Sequence, residues 1–544
     1  MKKKLIKLLA IVLTVVLGSV GCSQENKKNT NNKDNIISEY NIQKSDYIHL
    51  TMLFPETINP ILNKDKSVVY IMNLIYDGLF EIDKDYNVEP RLVEKYSVSS
   101  DGKSIKITLN SNAKWHDNNN VTSSDISYTI DLIKKTSDSP YVSLVENIQS
   151  INILDKLTFP IVSKKNMSGL STSEMKEYKN NFVGNGPYKI KKYEDRQYII
   201  LERNEDYFGD LSENRKEIYV KMVPDKESQT EMVLALDSDI ANITLADLSK
   251  FEGKKEFNIT KYEGRNYEMV MFNYDNEYLD DVNFRKAIIS AIDREKLLKE
   301  AYVGNVNLSN FPLNTSSKYY NSNIKEIAYD KDESLKYLLS GLKSVNQSRE
   351  DKKQAEENKA NSEELQGIVE DNSTSSKTTS EFTKKEIKEI LNKIELKIVV
   401  SENNSERIKV AQTIREDLDR IGIKTVINEL NNKDLDKALN SKDYDLAIVG
   451  YSLPSIPDAR DILKACHIKD EKLSTYITSL GNSTSEYETK KIYSQIQKYT
   501  VEQGLFISLG ILDNFVVSNK RLEGTIHPND FDIYKGISNL QMNK

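Results

Sequence analysis

Histidine and cysteine are the side chains through which this 544-residue chain could do metal or nucleophilic chemistry, and both are scarce. The histidines are His49, His116, His467 and His527, and no pair has the spacing of a zinc site on one helix. Cys466 precedes His467 directly, but a thiol nucleophile needs its base beside it in space. No G-x-S-x-G elbow and no glycine-rich phosphate loop occurs. The sequence therefore predicts a protein that is not an enzyme, with no catalytic residue, metal site or cofactor.

An acidic run imitates a calcium-binding loop. Four acidic or amide residues between Asp83 and Glu94 occupy positions 1, 3, 5 and 12 of that pattern. The position that requires glycine carries Val88, and Pro90 falls inside the loop. A surface turn between two strands explains these residues more simply than a bound calcium ion.

The first 22 residues have the layout of a secretory signal. A lysine-rich start, an apolar run too short to span a bilayer and four small residues lead up to Cys22. This arrangement resembles the lipobox of bacterial lipoproteins, in which the cysteine is acylated and becomes the first mature residue, although Ser19 stands where leucine is usual. The resemblance implies lipidation of Cys22 and a location at the extracytoplasmic face of the cell membrane.

Composition indicates that most of the chain folds as a soluble protein. The hydrophobic content is 38%, the charged content is 29%, and a net charge of −7 gives no reason to expect a nucleic-acid partner. Residues 23–45 are rich in Asn, Lys and Ser, which predicts a disordered tether. Once Cys22 is acylated, Cys466 is the remaining thiol, so no intramolecular disulfide can form.

Hydrophobic periodicity predicts an α/β fold. The last third of the chain alternates as strand 394–400, helix 406–421, strand 424–429, helix 434–439 and strand 444–449. The region 344–385 loses its apolar residues and is predicted to be a solvated, low-complexity insertion, partly helical at best. Earlier elements are predicted as a strand at 48–55, a helix at 68–79, a hairpin around Asp101-Gly102, a helix from Ser123, two strands within 188–203, and helices at 228–236 and 282–299.

The most informative pattern is a set of separated sequence blocks. They are NPIL at 59–62, IYDGLF at 75–80, EPRLVE at 89–94, SDGK at 100–103, AKWHD at 113–117, VTSSDI at 121–126, GNGPY at 184–188, LERNEDYF at 201–208, DDVNFRKA at 280–287, AIDR at 291–294, IGIK at 421–424 and DYDLA at 443–447. Each block is weak alone, and their succession is specific. In this order and spacing they resemble the family 5 extracellular solute-binding proteins, which are the substrate-binding lipoproteins of oligopeptide, dipeptide and nickel ABC importers.

The resemblance implies a two-lobed periplasmic-binding-protein-like fold of type II with an extra domain, in which the lobes close on a ligand by hinge motion. It also implies a monomer that receives a peptide-like small molecule and passes it to ABC transporter permease subunits. The expected domains are lobe I from 46–79, 183–275 and 503–544, the extra domain from 80–182, and lobe II from 276–502.

Two segments supply the backbone contacts to an extended ligand in peptide binders of this family. By resemblance they fall at Asn63, Lys64, Asp65, Lys66 and Ser67, and at Gly450, Tyr451, Ser452 and Leu453. A solvated charged loop is the alternative for the first segment, and core packing is the alternative for Tyr451.

The second segment departs from the pattern of the peptide binders. They show Gly-Trp-x-x-Asp, in which the aspartate pairs with the ligand's α-ammonium; here Tyr451 replaces the tryptophan and Pro454 replaces the aspartate. An unpaired buried ammonium costs several kcal/mol, and Asp458 or Asp461 are the candidates to compensate. A receptor or sensor that lost transport, and a binder of a nickel chelate or haem, therefore stay as alternatives to peptide import.

Overall fold

The computed structural model describes residues 47–101, 103–163, 183–209, 211–212, 216–364, 384–483 and 485–542. The predicted signal at 1–22 with Cys22, the predicted tether at 23–45 and residues 365–383 of the predicted insertion lie outside these residues.

The strands are numbered in chain order. They are β1 Tyr47–Leu53, β2 Phe80–Ile82, β3 Val88–Pro90, β4 Val93–Val98, β5 Ser104–Leu109, β6 Ile148–Ile151, β7 Thr158–Ser163, β8 Tyr188–Glu194, β9 Tyr198–Arg203, β10 Glu217–Val223, β11 Ile240–Ile243, β12 Phe257–Phe272, β13 Val306–Asn307, β14 Glu395–Ser401, β15 Lys424–Leu430, β16 Leu446–Ser452, β17 Phe506–Asn519, β18 Leu522–Glu523 and β19 Gln541–Met542.

One mixed sheet runs through most of the molecule, in the order β15-β14-β16-β12-β17-β11-β1-β10-β9-β8, with β13 also paired to β17. The pairs β14–β15, β14–β16 and β1–β11 are parallel. The two long strands β12 and β17 are antiparallel neighbours at its centre, so they connect the C-terminal βαβαβ strands with the N-terminal ones. A four-stranded sheet, β4-β5-β7-β6, and the pairs β2–β3 and β18–β19 are separate from it.

The helices pack around these sheets, and no described helix is both long and apolar enough to cross a membrane. They are α1 Lys66–Met72, α2 Ser123–Lys135, α3 Val142–Val145, α4 Lys226–Leu234, α5 Leu245–Leu248, α6 Glu277–Asp280, α7 Val282–Ala291, α8 Arg294–Ala301, α9 Lys331–Glu364, α10 Lys384–Leu391, α11 Ser405–Arg420, α12 Asn432–Ser441, α13 Arg460–Ala465, α14 Glu471–Asn482 and α15 Glu486–Glu502, followed by a 3₁₀ turn at Ile537–Asn539.

The structure confirms the α/β class and the predicted βαβαβ order, with every one of those five elements present within two residues of its expected start. Gly422, at φ +88°, ends α11 as the sequence predicts, because glycine adopts this backbone conformation without strain. The predicted first strand, the paired strands on either side of Asp101 and the helix from Ser123 are also present.

Two predicted helices are wrong in extent. The helix expected over 282–299 is two helices, because the side chain of Asp293 accepts a hydrogen bond from Lys296 N and starts a new one. The helix expected over 68–79 ends at Met72, and Ile75 O then accepts hydrogen bonds from the amides of Asn185 and Gly186. A distant strand entry therefore takes the carbonyl that a longer helix would have used.

The predicted insertion begins inside a helix. The first part of α9 is packed into the protein through the buried side chains of Leu338, Leu342 and Val345. Residues 347–358 of the same helix are exposed, as expected for a solvated insertion. Arg349 fixes the helix as it leaves the core, through an ion pair with Glu277.

Within the described residues, the buried apolar side chains form four clusters. The largest draws on residues 267–511, two smaller ones lie around β1, β10 and β11, and the fourth comes from Leu92 to Phe159. The predicted lobe and domain boundaries stay predictions.

Candidate functional site

A break in the central strand pair organises the site. Strands β12 and β17 pair from Phe257 to Glu263 and again from Tyr267 onward, with the register shifted between the two stretches. A Cβ atom on Gly264 would lie 2.7 Å from Leu512 O, so only glycine allows the strands to stay this close. Two charged residues flank Gly264. Arg265 contacts the second predicted ligand segment at Leu453 O, and Glu263 contacts Thr315.

The first predicted segment is the capped start of α1. Asn63 is buried and accepts from Asp65 N (3.2 Å), while the Asp65 carboxylate accepts from the amides of Ser67 (2.7 Å) and Val68 (3.2 Å). Ser67 Oγ in turn accepts from Leu53 N at 3.0 Å, which ties the segment to β1. These hydrogen bonds hold the backbone of the segment in place, and its contact with a ligand stays a prediction.

Lysines 64 and 66 are the exposed members of that segment. The ammonium of Lys66 lies 3.0 Å from a carboxylate oxygen of Asp530, a residue 464 positions further along the chain. The segment therefore contributes a charged group as well as backbone to its surroundings.

The second predicted segment is the end of β16. It pairs with β12 so that Gly450 is opposite Glu268 and Ser452 opposite Asn266. Leu453 N donates to Arg265 O (2.8 Å) in the same register. Because hydrogen-bonding directions alternate along an antiparallel strand, the backbone groups of Gly450 and Ser452 point away from β12.

The opposite edge of β16 is covered by β14 only in part. The described ladder between them consists of Leu446 and Ala447. The backbone groups of Gly450 and Ser452 thus lie beyond this ladder, at a sheet edge of the kind that can pair with an extended ligand.

The packing around position 450 explains why this residue is a glycine. Arg407 donates from Nε and Nη2 to both carboxylate oxygens of Glu268, at 2.7 and 2.8 Å, and a Cβ at position 450 would collide with both partners. Tyr302 Oη also donates to Glu268, at 3.2 Å. The glycine thus leaves room for a buried ion pair against the strand.

Asp530 and Arg265 join the two predicted segments, and sequence reasoning missed both. The buried Asp530 carboxylate accepts from Arg265 Nε (2.6 Å), Lys66 Nζ (3.0 Å) and Asn514 Nδ2 (2.9 Å). Arg265 also donates from Nη1 to Leu453 O (2.9 Å). No spacing rule connects positions so far apart in sequence, so only the folded chain reveals this chain of contacts.

Tyr451 packs against the largest apolar cluster, and its hydroxyl lies 3.4 Å from Met271 Sδ. Burial raises its pKa. The side chain therefore packs against the core while part of it stays exposed, and its contact with a ligand stays a prediction.

The two candidates to replace the missing aspartate are each paired with a nearby basic side chain, Asp458 with Arg460 and Asp461 with Lys464 at 3.3 Å. Arg460 holds Asp458 through Nε at 2.9 Å and Nη2 at 2.6 Å, and the Asp461 side chain is 95% exposed. Pro454 is itself exposed. Position 454 is therefore not compensated by a nearby unengaged carboxylate of this loop.

Glu263 is the acidic group beside the strand break. Its oxygens accept from Thr315 N at 3.1 Å and Thr315 Oγ1 at 2.7 Å. Burial raises its pKa above the ordinary value, and the repulsion from Asp513 adds to the effect. Within the described residues no cation lies at salt-bridge distance from it, so its charge is balanced by hydrogen bonds alone.

The cysteine and histidine side chains considered for thiol or metal chemistry include two that hydrogen-bond to the protein backbone, Cys466 and His116. Cys466 is buried, which raises its pKa to about 12, and its thiol donates to Ile462 O. His116 accepts from Gly184 N at Nδ1 and contacts Gly186 O. Across the described part of the chain, no three His, Cys, Asp or Glu side chains are grouped as metal ligands would be.

The calcium-like run is a turn between β2 and β3, as predicted. One oxygen of Asp83 accepts from the amides of Asp85 and Asn87, both at 2.8 Å, and the other accepts from the Asn87 side chain. The carboxylate therefore closes its own loop.

Two cavities lie elsewhere. One of about 970 Å³ lies between residues 55–62, Trp115 and α2, and one of about 880 Å³ lies beside Arg294 and residues 320–329. Neither is lined by the two predicted ligand segments.

Comparison with known proteins decides the family. A family model described as bacterial extracellular solute-binding proteins, family 5 middle, matches residues 87–472, which is more than half of the chain. The chain belongs to this family.

Individual relatives show that the similarity covers nearly the whole of this chain. The oligopeptide-binding protein AppA of Bacillus subtilis is 21% identical over 570 residues, covering 98% of each chain. The ABC transporter substrate-binding protein CtaP of Listeria monocytogenes, a solved structure, has a TM-score of 0.73 at 18% identity and covers 92% of this chain and 100% of that one. The Bacillus subtilis AppA structure, solved with a nonapeptide, has a TM-score of 0.59 at 20% identity, with coverage of 92% and 100%. These structures confirm the two-lobed fold.

Proposed function

We propose that this solute-binding protein captures a peptide-like ligand and delivers it to the permease of an ABC importer. The ligand lies between the segments at 63–67 and 450–453, and its main chain pairs with the sheet edge at Gly450 and Ser452. Recognition of main-chain groups tolerates many side chains, as import of mixed peptides requires. The nonapeptide in the AppA structure and the oligopeptide-binding name of that relative support this ligand class.

The single observation that carries the proposal is the contact chain Lys66–Asp530–Arg265–Leu453. It brings the two segments together although they lie almost 400 residues apart in sequence. The residues that close it belong to the strand break and to the C-terminal region. Closure of two lobes about β12 and β17 would therefore change the spacing of these groups directly.

Binding is tested with mature protein that starts at residue 23. Native mass spectrometry of the purified protein should reveal co-purified peptides, and added peptides should raise its melting temperature. An empty protein that no member of a mixed peptide library stabilises would overturn peptide capture. Uptake then separates an importer from a sensor: deletion of the gene should abolish growth on the bound peptides as a nitrogen source, whereas a sensor would leave growth unchanged.

Anchoring through Cys22 is part of the proposal, with the signal and the tether of 23–45 preceding the folded region. Wild-type protein should partition into detergent and incorporate labelled palmitate, because two or more acyl chains hold a protein durably at a membrane. Cys22→Ser should remove both signals, with Cys466→Ser as the matched control that retains them. Labelled Cys22→Ser protein would refute the anchor.

Pro454→Asp tests the placement of the ligand's amino end. The substitution restores a carboxylate where peptide binders have one, so we expect tighter binding of peptides with a free α-ammonium and no change for their N-acetylated forms. Isothermal titration calorimetry measures both. Asp458→Asn is the control, because Arg460 already occupies that carboxylate. Equal affinity of both peptide forms in Pro454→Asp would show that the loop lies elsewhere.

A further inference from the structure

The cavity of about 970 Å³ between the loop 55–62 and helix α2 has mostly apolar walls. Ligand cavities in proteins have volumes of about 300–1,000 Å³, and voids larger than a water molecule are few in a packed interior. Tyr76, Trp115 and Tyr128 are among the aromatic residues that line it, and most of the remaining lining residues are aliphatic. An apolar occupant would supply the dispersion contacts that the side chains of these walls lack.

Helix α2 presents an apolar face to this space. Ile126, Ile130 and Ile133 lie at helical spacing, and all three line the cavity. Side chains at i, i+4 and i+7 share one face of a helix, and such a face normally packs against the protein interior. Ile130 is buried, whereas Ile126 and Ile133 keep part of their surface exposed. The protein therefore leaves part of this apolar face uncovered, on the side of the cavity.

Hydrogen bonds fix two parts of the wall. The hydroxyl of the buried Ser139 donates to Ile61 O at 2.8 Å, which fastens the loop 55–62 to the residues that follow α2. Trp115 Nε1 donates to Asp125 Oδ2 at 3.3 Å, and the same oxygen accepts from Thr122 N in the cap of α2. Because the walls are in place before a ligand arrives, less entropy is lost on binding.

The charged groups of the lining are acidic. Glu56, Asp77 and Asp195 line the cavity, and no Lys, Arg or His does so among the described residues. Asp77 is paired with Arg91, which balances its charge, whereas Glu56 and Asp195 are exposed and face solvent. An anionic ligand would therefore lose its hydration here without gaining a cationic partner, which is unfavourable.

We infer that this cavity is a binding site for a bulky apolar group, aromatic or branched, that carries no negative charge. Two sources have this chemistry: a side chain of a bound peptide and a separate small molecule. The peptide source rests on the proposed function, and it agrees with the position of the loop 55–62, which runs directly into the ligand segment 63–67. The small-molecule source is independent of that function.

Trp115 is the one tryptophan of the chain, so its fluorescence reports on this cavity. Protein that starts at residue 23 is titrated with 4-phenylbutylamine and with 4-phenylbutyrate, which carry the same apolar group and opposite charges. We expect any saturable fluorescence change to favour the amine over the acid at least about tenfold in affinity, a difference of about 1.4 kcal/mol. Equal or tighter binding of the acid overturns the inference.

Two variants of α2 locate the binding. Ile133→Lys places an ammonium in the apolar wall, whereas Ser124→Lys adds the same charge at an exposed position that does not line the cavity. We expect the first to weaken binding at least about tenfold and the second to leave the affinity unchanged. Ile133→Gln adds polarity without charge and replaces the lysine variant should that one not fold. Wild-type affinity in a folded variant of position 133 overturns the inference.

Tripeptides distinguish the two sources. Alanyl-phenylalanyl-alanine and trialanine differ in one apolar side chain. A fluorescence change that requires the phenylalanine, and that Ile133→Lys removes, assigns the group to a bound peptide, whereas a change with the amine alone assigns it to a separate small molecule. Absence of any change with the amine and with both peptides overturns the inference. Peptide capture is measured separately by the rise in melting temperature, so its failure is distinguishable from this one.

Discussion

Glu268 lies in β12 just past the strand break and Asp530 lies in the C-terminal segment; both carboxylates are buried, and they are held in different ways. Glu268 accepts hydrogen bonds from two nitrogens of Arg407, Nε and Nη2, and from the hydroxyl of Tyr302. All three residues lie in the region of the largest apolar cluster. Asp530 shares its oxygens among Arg265, Lys66 and Asn514, which come from three distant parts of the chain.

The difference separates a structural ion pair from a site that can rearrange. The bidentate pair has one geometry, with Glu268 2% and Arg407 19% exposed, and losing Arg407 leaves an uncompensated buried charge. The Asp530 centre keeps donors when one of them leaves, and Lys66 is 56% exposed. Under the proposed function we expect ligand capture to involve Asp530, whereas the Glu268–Arg407 pair holds β12 against α11.

The largest loss of stability is expected from Arg407→Met, because it leaves the buried Glu268 carboxylate without its ion-pair partner. Removal of one partner of a buried pair costs about 3–5 kcal/mol in the free energy of unfolding, measurable by urea denaturation. Arg349→Met is the control, because its pair with Glu277 is 43% and 51% exposed and surface pairs contribute about 1 kcal/mol or less. Equal losses in the two variants would remove the distinction between buried and exposed pairs here.

Gly450→Ala tests the same centre from the strand side. The added methyl collides with Arg407 and Glu268, so we expect a loss of about 1–3 kcal/mol in unfolding free energy. In the control, Gly481→Ala, the nearest atom is the flexible end of Arg460 at 3.1 Å, and alanine favours the helix. Stability should stay level or rise there. A Gly450→Ala protein as stable as wild type would contradict the packing described for β16.

Asp532, next to the Asp530 centre, gives a pH signature. Its oxygen accepts from Tyr534 N at 2.9 Å, and burial raises its pKa to about 6. The folded protein therefore holds this proton more tightly than the unfolded chain, so the contribution to stability is full below pH 3.8 and is lost as pH rises through about 6. Asp532→Asn removes this loss.

Urea denaturation of wild type and Asp532→Asn at several pH values checks this dependence. The difference in unfolding free energy should shift in favour of the variant between pH 4 and pH 7, by an amount that levels off above about 6. Asp461→Asn, whose carboxylate is exposed, should show no such trend. A pH-independent difference for Asp532→Asn would mean that the carboxyl is not desolvated.

The smallest effect on stability is expected from Lys66→Met. The lysine is largely exposed, and Arg265 and Asn514 still donate to Asp530, so the unfolding free energy should change by about 1 kcal/mol or less. Peptide affinity should fall in the same variant, because Lys66 belongs to the proposed ligand segment. A stability loss as large as that of Arg407→Met would show that the two centres are alike.

Local patterns predicted the elements but not their ends. The βαβαβ region was predictable because apolar periods and Gly422 act within one turn or strand. The helix at 68–79 was overpredicted because Ile75 O bonds to a segment more than 100 residues away. The break at Asp293 carried a readable cap signal within a continuous apolar pattern.

The sequence alone determined the α/β class, the family resemblance and the two segments expected at the ligand. Those depend on short-range periodicity and on the order of blocks, which a linear chain displays. Only the tertiary structure decided that Asp530 and Arg265 link the segments and that Gly450 makes room for the Arg407–Glu268 pair. The physical reason is that charge pairing and close packing act between residues brought together by the sheet, whatever their separation along the chain.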